Sequence, residues 1–226
     1  MNVEILRQSL DKQGYALIPS LLSSDQCMIL REAYVDASRY RNTIEMQRYR
    51  FGVGEYKYFK YPLPGVIQQL RNDLYEPLAG IANVWANHLK AGLTYPDNHP
   101  RFLELCATHQ QTRPTPLILR YERGGFNTLH QDLYGEIYFP FQVVIVLSQF
   151  GVDFTGGEFV ITEQVPRAQS KAMVIQPGLG DAVVFTTHSR PVKGTRGYYR
   201  ANMKHGVSEV KSGQRYALGI IFHDAA

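Results

Sequence analysis

The chain has 226 residues, a formal charge of +4 and a sequence pI of about 9.0, a length that suits one hydrophobic core and a basicity that permits nucleic acid as a partner without demanding it. The N-terminal run MNVEILRQSLDKQG lacks the basic region and long apolar stretch of a secretion signal, and no window is apolar for a membrane-spanning length. These features exclude a membrane-spanning helical class and give the expectation of a cytoplasmic protein.

A short helix opens the chain, Tyr15–Ile18 reads as a strand, and Ser23 caps a helix with Gln26 completing a capping box. Cys27, Leu30, Tyr34 and Ala37 share one face of that helix. With Cys106, Cys27 is expected to be a buried, reduced thiol, since the two cysteines are far apart among apolar or helix-forming neighbours. The tyrosine-rich run 48–61 suits a lid, a dimer contact or a strand pair. After Pro64, Val66, Leu70, Leu74, Leu78, Ile81, Trp85 and Leu89 recur at three- and four-residue steps, predicting a packed helix that Pro77 should break or kink, with Trp85 in the core. Residues 94–116, with four prolines, read as a connecting loop or lid-like excursion.

From Leu117 the pattern changes to short β-type runs at 117–121, 142–147, 158–162, 173–176, 181–186, 205–210 and 216–223, separated by glycine turns. Helices first and strands after predict an α+β chain, with 1–116 mainly helical support and lid and 117–226 a sandwich or jelly-roll core, within a single domain at 1–226. A funnel between two such sheets is available for a site.

His130-Gln-Asp132, after a strand, puts two ligating side chains at i and i+2, on one side of an extended backbone. A later histidine would complete two imidazoles and a carboxylate on one face of an octahedron, which suits ferrous iron that must bind a cosubstrate and dioxygen together. Zinc more often wants a third nitrogen or sulfur ligand. Downstream, His205 starts a strand run and Arg215 follows ten residues later across a Ser-Gly turn, a hairpin able to aim both residues into one funnel.

In this ordered set the chain resembles the 2-oxoglutarate- and Fe(II)-dependent oxygenases, especially the bacterial branch akin to prolyl hydroxylases. Their His-x-Asp, distal histidine and arginine about ten residues beyond fall on His130, Asp132, His205 and Arg215. Gly156-Gly157-Glu158 resembles the family's Gly-Gly-x segment, residues 180–185 its Gly-x-Ala-x-x-Phe strand, and residues 14–25 its opening strand and capped helix. The resemblance implies a double-stranded β-helix (jelly-roll, cupin-like) flanked by N-terminal helices. It also implies iron held by His130, Asp132 and His205, 2-oxoglutarate paired through its C5 carboxylate with Arg215 and helped by Tyr121, and dioxygen consumed with release of succinate and carbon dioxide. The aspartate argues against the halogenating relatives and for hydroxylation, or demethylation through an unstable hydroxymethyl product.

His188, which also follows a strand, rivals His205 as third ligand but lacks the downstream arginine. His88, His99, His109 and His223 have no ligand spacing, Arg120 and Arg123 read as outward residues, and Asn202 suits the funnel or a turn. Gly178-Leu-Gly180 lacks the rest of a dinucleotide motif. Three functions follow: an oxygenase of a small molecule, peptide or amino-acid side chain; a nucleic-acid demethylase, motivated by Arg190, Lys193, Arg196, Arg200 and Lys204 with no acid among them; or a non-catalytic binding module.

Overall fold

In the computed structural model, which describes residues 2–133 and 135–226, the Asn2 side chain caps α1 (Val3–Gln13) by accepting from the Glu4 and Ile5 amides. After β1 (Tyr15–Ile18), α2 (Ser24–Glu32) starts on the predicted capping box: Ser23 Oγ accepts from the Gln26 amide and Gln26 Oε1 from the Ser23 amide. Cys27, Leu30 and Tyr34 are buried, whereas Ala37 falls in a later 3-10 turn and is exposed.

The first half holds more strand than its composition suggested. The 48–61 run takes the strand-pair option: β2 (Tyr40–Glu45), β3 (Gly52–Val53) and β4 (Glu55–Phe59) follow one another, and β2 pairs with β4. Next, α3 (Gly65–His88) runs through Pro77 without a break. An internal proline costs a helix about 3 kcal/mol, but Ile67, Leu70, Leu74, Leu78, Ile81 and Trp85 are all buried, and that apolar stripe holds the helix in place. Trp85 is in the core as expected, edge-on to Phe141 at 4.8 Å, with Nε1 donating to Asp11 at 2.6 Å. The expected loop at 94–116 contains α4 (His99–Thr108), capped by Asn98 with a proline in its first turn. Proline at a helix start is a helix signal, and reading all four prolines as loop formers missed it.

The remaining strands are β5 (Leu117–Tyr121), β6 (Phe126–His130), β7 (Phe141–Val146), β8 (Phe154–Gly156), β9 (Phe159–Gln164), β10 (Lys171–Ile175), β11 (Ala182–Thr186), β12 (Ser189–Gly194), β13 (Gly197–Val207), β14 (Val210–Gly213) and β15 (Arg215–Ile221). A seven-stranded sheet has the order β1-β11-β7-β15-β5-β4-β2. Facing it, β10-β9-β13-β6-β3 form a second sheet with β12 paired to β13, and β14 and β8 form a short ribbon. All strand pairs are antiparallel. This is the double-stranded β-helix, without a closed barrel.

Strand periodicity explains the unbroken apolar runs of β7 and β11. Val143, Ile145, Ala182 and Val184 pack with α3 residues in one core, while Val144, Val146, Val183 and Phe185 belong to a second core with Phe159, Ile161 and Met203 from the other sheet. Both faces are covered, so alternation disappears from the sequence.

Two positions here, His205 and Asn202, differ from expectation. His205 lies near the end of the long β13, not at a strand start, and it forms no hairpin with Arg215, because β14 intervenes and β13 and β15 belong to opposite sheets. The basic segment 190–204 forms the β12–β13 hairpin. Arg190 is buried there, with Nε donating to Glu163 at 2.5 Å and Nη1 to the Asp11 carbonyl, while Lys193, Arg196, Arg200 and Lys204 are exposed. Asn202 sits in β13 on the outward side between buried Ala201 and Met203, neither in the funnel nor in a turn.

Arg71 ties α3 to the end of β15. Fully buried, it donates to the carbonyls of Ile221, Phe222 and His223 and to Tyr61, and it pairs with Asp224 at 2.8 Å. Arg71→Met leaves the Asp224 carboxylate and three carbonyls short of a donor and is expected to cost about 3–5 kcal/mol in denaturant unfolding.

His223 makes the fold acid-sensitive. Its Nδ1 accepts the Phe139 amide, which requires an unprotonated Nδ1, and burial, followed by the like charge of Arg71, pushes its pKa down to about 4. The folded state therefore binds fewer protons than the unfolded state between about 6.5 and 4. Stability present above pH 6.5 should fall as pH drops through that window, by up to about 1.4 kcal/mol per pH unit from this group. Denaturant midpoints at pH 7, 6 and 5 test this, and His223→Gln should flatten the slope.

Candidate metal centre

His130 on β6 and His205 on β13 are direct cross-strand partners. Such partners project from the same face, and the two imidazole centroids lie 4.2 Å apart. Asp132, two residues beyond, reaches both: its Oδ1 is 3.5 Å from His130 Nε2 and its Oδ2 3.4 Å from His205 Nε2. One ligand atom from each residue lies within 4.8 Å of the others. Gln131 points the other way, donating to the carbonyls of His188 and Met203 at 3.0 and 2.8 Å, and so pins the ligand strand to β13. His188 is outside the cluster and supplies a carbonyl instead of a ring nitrogen.

The surroundings fix each ring. His130 Nδ1 is 2.7 Å from the Thr128 carbonyl; a carbonyl only accepts, so Nδ1 carries the proton and the Nε2 lone pair is left facing Asp132. His205 is packed between Phe185 at 4.6 Å and Phe159 at 6.0 Å, which gives the last residue of the Gly-x-Ala-x-x-Phe strand a purpose. Burial lowers the His130 pKa, with His205 adding to the effect. For Asp132 burial acts upward, but hydrogen bonding and charge from His205, then His130 and Gln142, outweigh it and hold the carboxyl below its ordinary value. A carboxylate held ionised beside the Nε2 lone pair of His130 and the ring of a second histidine is a donor set for a divalent cation.

Across the cavity, Arg215 begins β15 opposite Tyr121 of β5. Its guanidinium lies 5.7 Å from the Tyr121 ring and 5.9 Å from Phe154. Only 1% of the residue is exposed, yet Nε and Nη2 have no hydrogen-bond partner and no carboxylate pairs with it among the described residues. Gly157 makes room: at φ 64° it approaches so closely that a Cβ would stand 2.8 Å from Arg215 Cδ. Tyr121 is fully buried; its hydroxyl lies beside Asn127 but makes no hydrogen bond of ordinary geometry, and burial pushes it up to about 12.

All five residues picked out by sequence, His130, Asp132, His205, Arg215 and Tyr121, line one cavity of about 510 Å³. The lining also includes Arg41, Asn127 and Gln142, which no sequence motif marks, and Tyr56 and Tyr58 from the tyrosine-rich run. The i, i+2 spacing of Tyr56 and Tyr58 was a usable signal for one strand face; Gln142, inside an apolar run, gave none. Arg120 faces outward, over Tyr34 at 5.2 Å, and Arg123 is exposed. His88 stacks on Tyr198, His99 bonds to the Phe222 carbonyl and His109 approaches Glu136, so none serves the centre.

The donor set and the unpartnered guanidinium atoms fit a ferrous ion and a dicarboxylate cosubstrate. A family model described as "Oxygenase, catalysing oxidative methylation of damaged DNA" matches residues 54–225. The uncharacterized protein Rv2227 of Mycobacterium tuberculosis is 48% identical over 168 residues, 74% of this chain and 72% of that one. A Pseudomonas putida prolyl-4-hydroxylase structure superposes with a TM-score of 0.58 at 12% identity, covering 100% of both chains. A prolyl hydroxylase from Trichoplax adhaerens, in complex with a hypoxia inducible factor peptide fragment, gives 0.56 at 14% identity over 98% of this chain and 89% of that one. No helix among the described residues is long and apolar enough to cross a membrane. The chain therefore belongs to this oxygenase family and carries the fold of the 2-oxoglutarate- and Fe(II)-dependent oxygenases.

Proposed function

We propose that His130, Asp132 and His205 hold a ferrous ion, that Arg215 and Tyr121 bind the C5 carboxylate of 2-oxoglutarate, and that the protein oxidises an alkyl group on a damaged base in nucleic acid. The observation that carries the cofactor assignment is Arg215, a buried guanidinium with unpartnered nitrogens in the cavity of the triad. A charge so desolvated is costly without an anion, and its fork fits a carboxylate bidentately. When bound, the iron and cosubstrate would supply the oxidation, one oxygen atom of O2 leaving in succinate as CO2 is lost and the other entering the substrate carbon. The protein's part is to hold His130 in one tautomer through Thr128, to anchor the diacid, and to keep water away with Val144, Phe159, Phe185 and Val207.

The nucleic-acid reading is supported by the family description and by the surface. Lys193, Arg196, Arg200 and Lys204 are exposed on one hairpin together with Tyr198 and Tyr199. Phe51, which lines the cavity, stacks on Tyr49 at 5.5 Å; both are exposed and alternate along the chain with exposed Arg48 and Arg50. Aromatic faces among cations are what single-stranded nucleic acid binds. A small-molecule or amino-acid substrate is the second reading, favoured by the peptide in the Trichoplax adhaerens complex.

The test is succinate release, with Fe(II), 2-oxoglutarate and O2, in the presence of methylated single-stranded oligonucleotides, free alkylated bases or proline-containing peptides. Coupled release only with oligonucleotides, weakening steeply as salt is raised, is the expected result. Coupling only with peptides would move the assignment to the second reading, and no release in any arm would end the cofactor assignment.

A further inference from the structure

Strand β2 is irregular at one point. Tyr40 pairs with Phe59 and Asn42 with Tyr58, so Arg41 is the additional residue of a bulge. Bulges re-aim side chains, often beside active sites, and Arg41 here lines the same cavity as the triad. Its guanidinium is fixed in place: Nε donates to the Pro114 carbonyl at 2.9 Å, and the group lies 4.4 Å from the centre of the Tyr58 ring.

The terminal nitrogens, Nη1 and Nη2, make no hydrogen bond or ion pair among the described residues. Asp224, whose charge reaches Arg41, is already paired with Arg71 at 2.8 Å, and Arg113 adds a like charge. Arg41 is thus a second arginine in the cavity whose positive charge no protein carboxylate takes up.

The two arginines stand at opposite ends of one aromatic wall. Arg215 is opposite Tyr121, whereas Tyr58, on which Arg41 rests, is opposite Leu117. These register positions are four residues apart on β5, roughly 13 Å at the rise of an antiparallel strand. Tyr56 and Tyr58 line the wall between, edge to face at 5.4 Å. A five-carbon diacid anchored at Arg215 is too short to serve both ends, so the far guanidinium is free for another molecule.

We infer that Arg41 binds a phosphate of the substrate and thereby selects nucleotides over their unphosphorylated counterparts. Tyr56 and Tyr58, whose rings stand edge to face, line the cavity with aromatic surface against which a base can pack, and the two open Nη groups match the two free oxygens of a phosphodiester. This inference rests on the nucleic-acid reading and names the residue that recognises the backbone.

Binding of deoxyadenosine, deoxyadenosine 5′-monophosphate and a methylated single-stranded oligonucleotide to anaerobic protein loaded with Fe(II) and 2-oxoglutarate tests it, in the native chain and in Arg41→Gln and Arg41→Lys. The native chain should prefer the monophosphate over the nucleoside by about ten- to a hundredfold, the span expected for a charge-assisted pair. Arg41→Gln should erase that preference and Arg41→Lys should keep part of it, with 2-oxoglutarate affinity the same in all three. Equal binding of nucleoside and monophosphate by the native chain, an undiminished preference in Arg41→Gln, or absence of nucleotide binding altogether would overturn the inference. So would Arg41-dependent binding of an acidic peptide in place of the nucleotide. An oligonucleotide that binds through Arg41 but is not oxidised would leave the inference standing and remove the proposed reaction.

Discussion

Arg215→Met should raise the melting temperature of the metal-free protein while removing its affinity for 2-oxoglutarate. In the absence of an anion the guanidinium is buried with two nitrogens unpartnered, so an apolar side chain of similar length relieves a desolvation penalty; such replacements are neutral or stabilising by about 1–4 kcal/mol. Loss of the bidentate carboxylate pair should cost binding about 2–5 kcal/mol, or about 30-fold to several thousand-fold in Kd. Arg71→Met provides the contrast. The same chemical change at an equally buried arginine, but one with carbonyl and carboxylate partners, should lower the melting temperature. Thermal scans of both variants and a 2-oxoglutarate titration decide the matter; a melting temperature for Arg215→Met well below the native value would show that the guanidinium has a structural partner.

The second large effect is at Asp132. Asp132→Asn keeps the shape of the side chain but removes the negative charge, and its new NH2 group would face the two imidazole Nε2 atoms that now lie 3.5 and 3.4 Å from the carboxylate oxygens. Donating to the His130 Nε2 lone pair, it would occupy electrons a cation needs. Divalent-metal affinity, read by Co(II) titration, should fall by more than the roughly 10–100-fold that follows loss of an outer-shell partner. Binding within about threefold of the native chain would remove Asp132 from the ligand set.

Much of the site was legible because its chemistry is local. His-x-Asp needs only an extended backbone to aim two side chains one way, and the capping box at Ser23, the turn glycines and the α3 stripe are likewise short-range patterns. Where the reading failed, long-range packing had overruled local preference. Pro77 is carried by the buried face of α3, α4 hides among prolines, and β2 and β4 gain strand structure by completing the edge of the seven-stranded sheet, as β3 does at the edge of the other. The spacing of His205 and Arg215 suggested a hairpin, yet the two face each other from different sheets.

Residue chemistry and periodicities of a few residues suffice for the donor types, their order along the chain and the β-rich second half. Long-range packing makes His130 and His205 cross-strand neighbours, buries Arg215 with open nitrogens while saturating Arg71, and directs Arg41 into the cavity through a bulge. Those facts turn on which distant segments share a face and how much water they exclude, and no spacing along the chain specifies that.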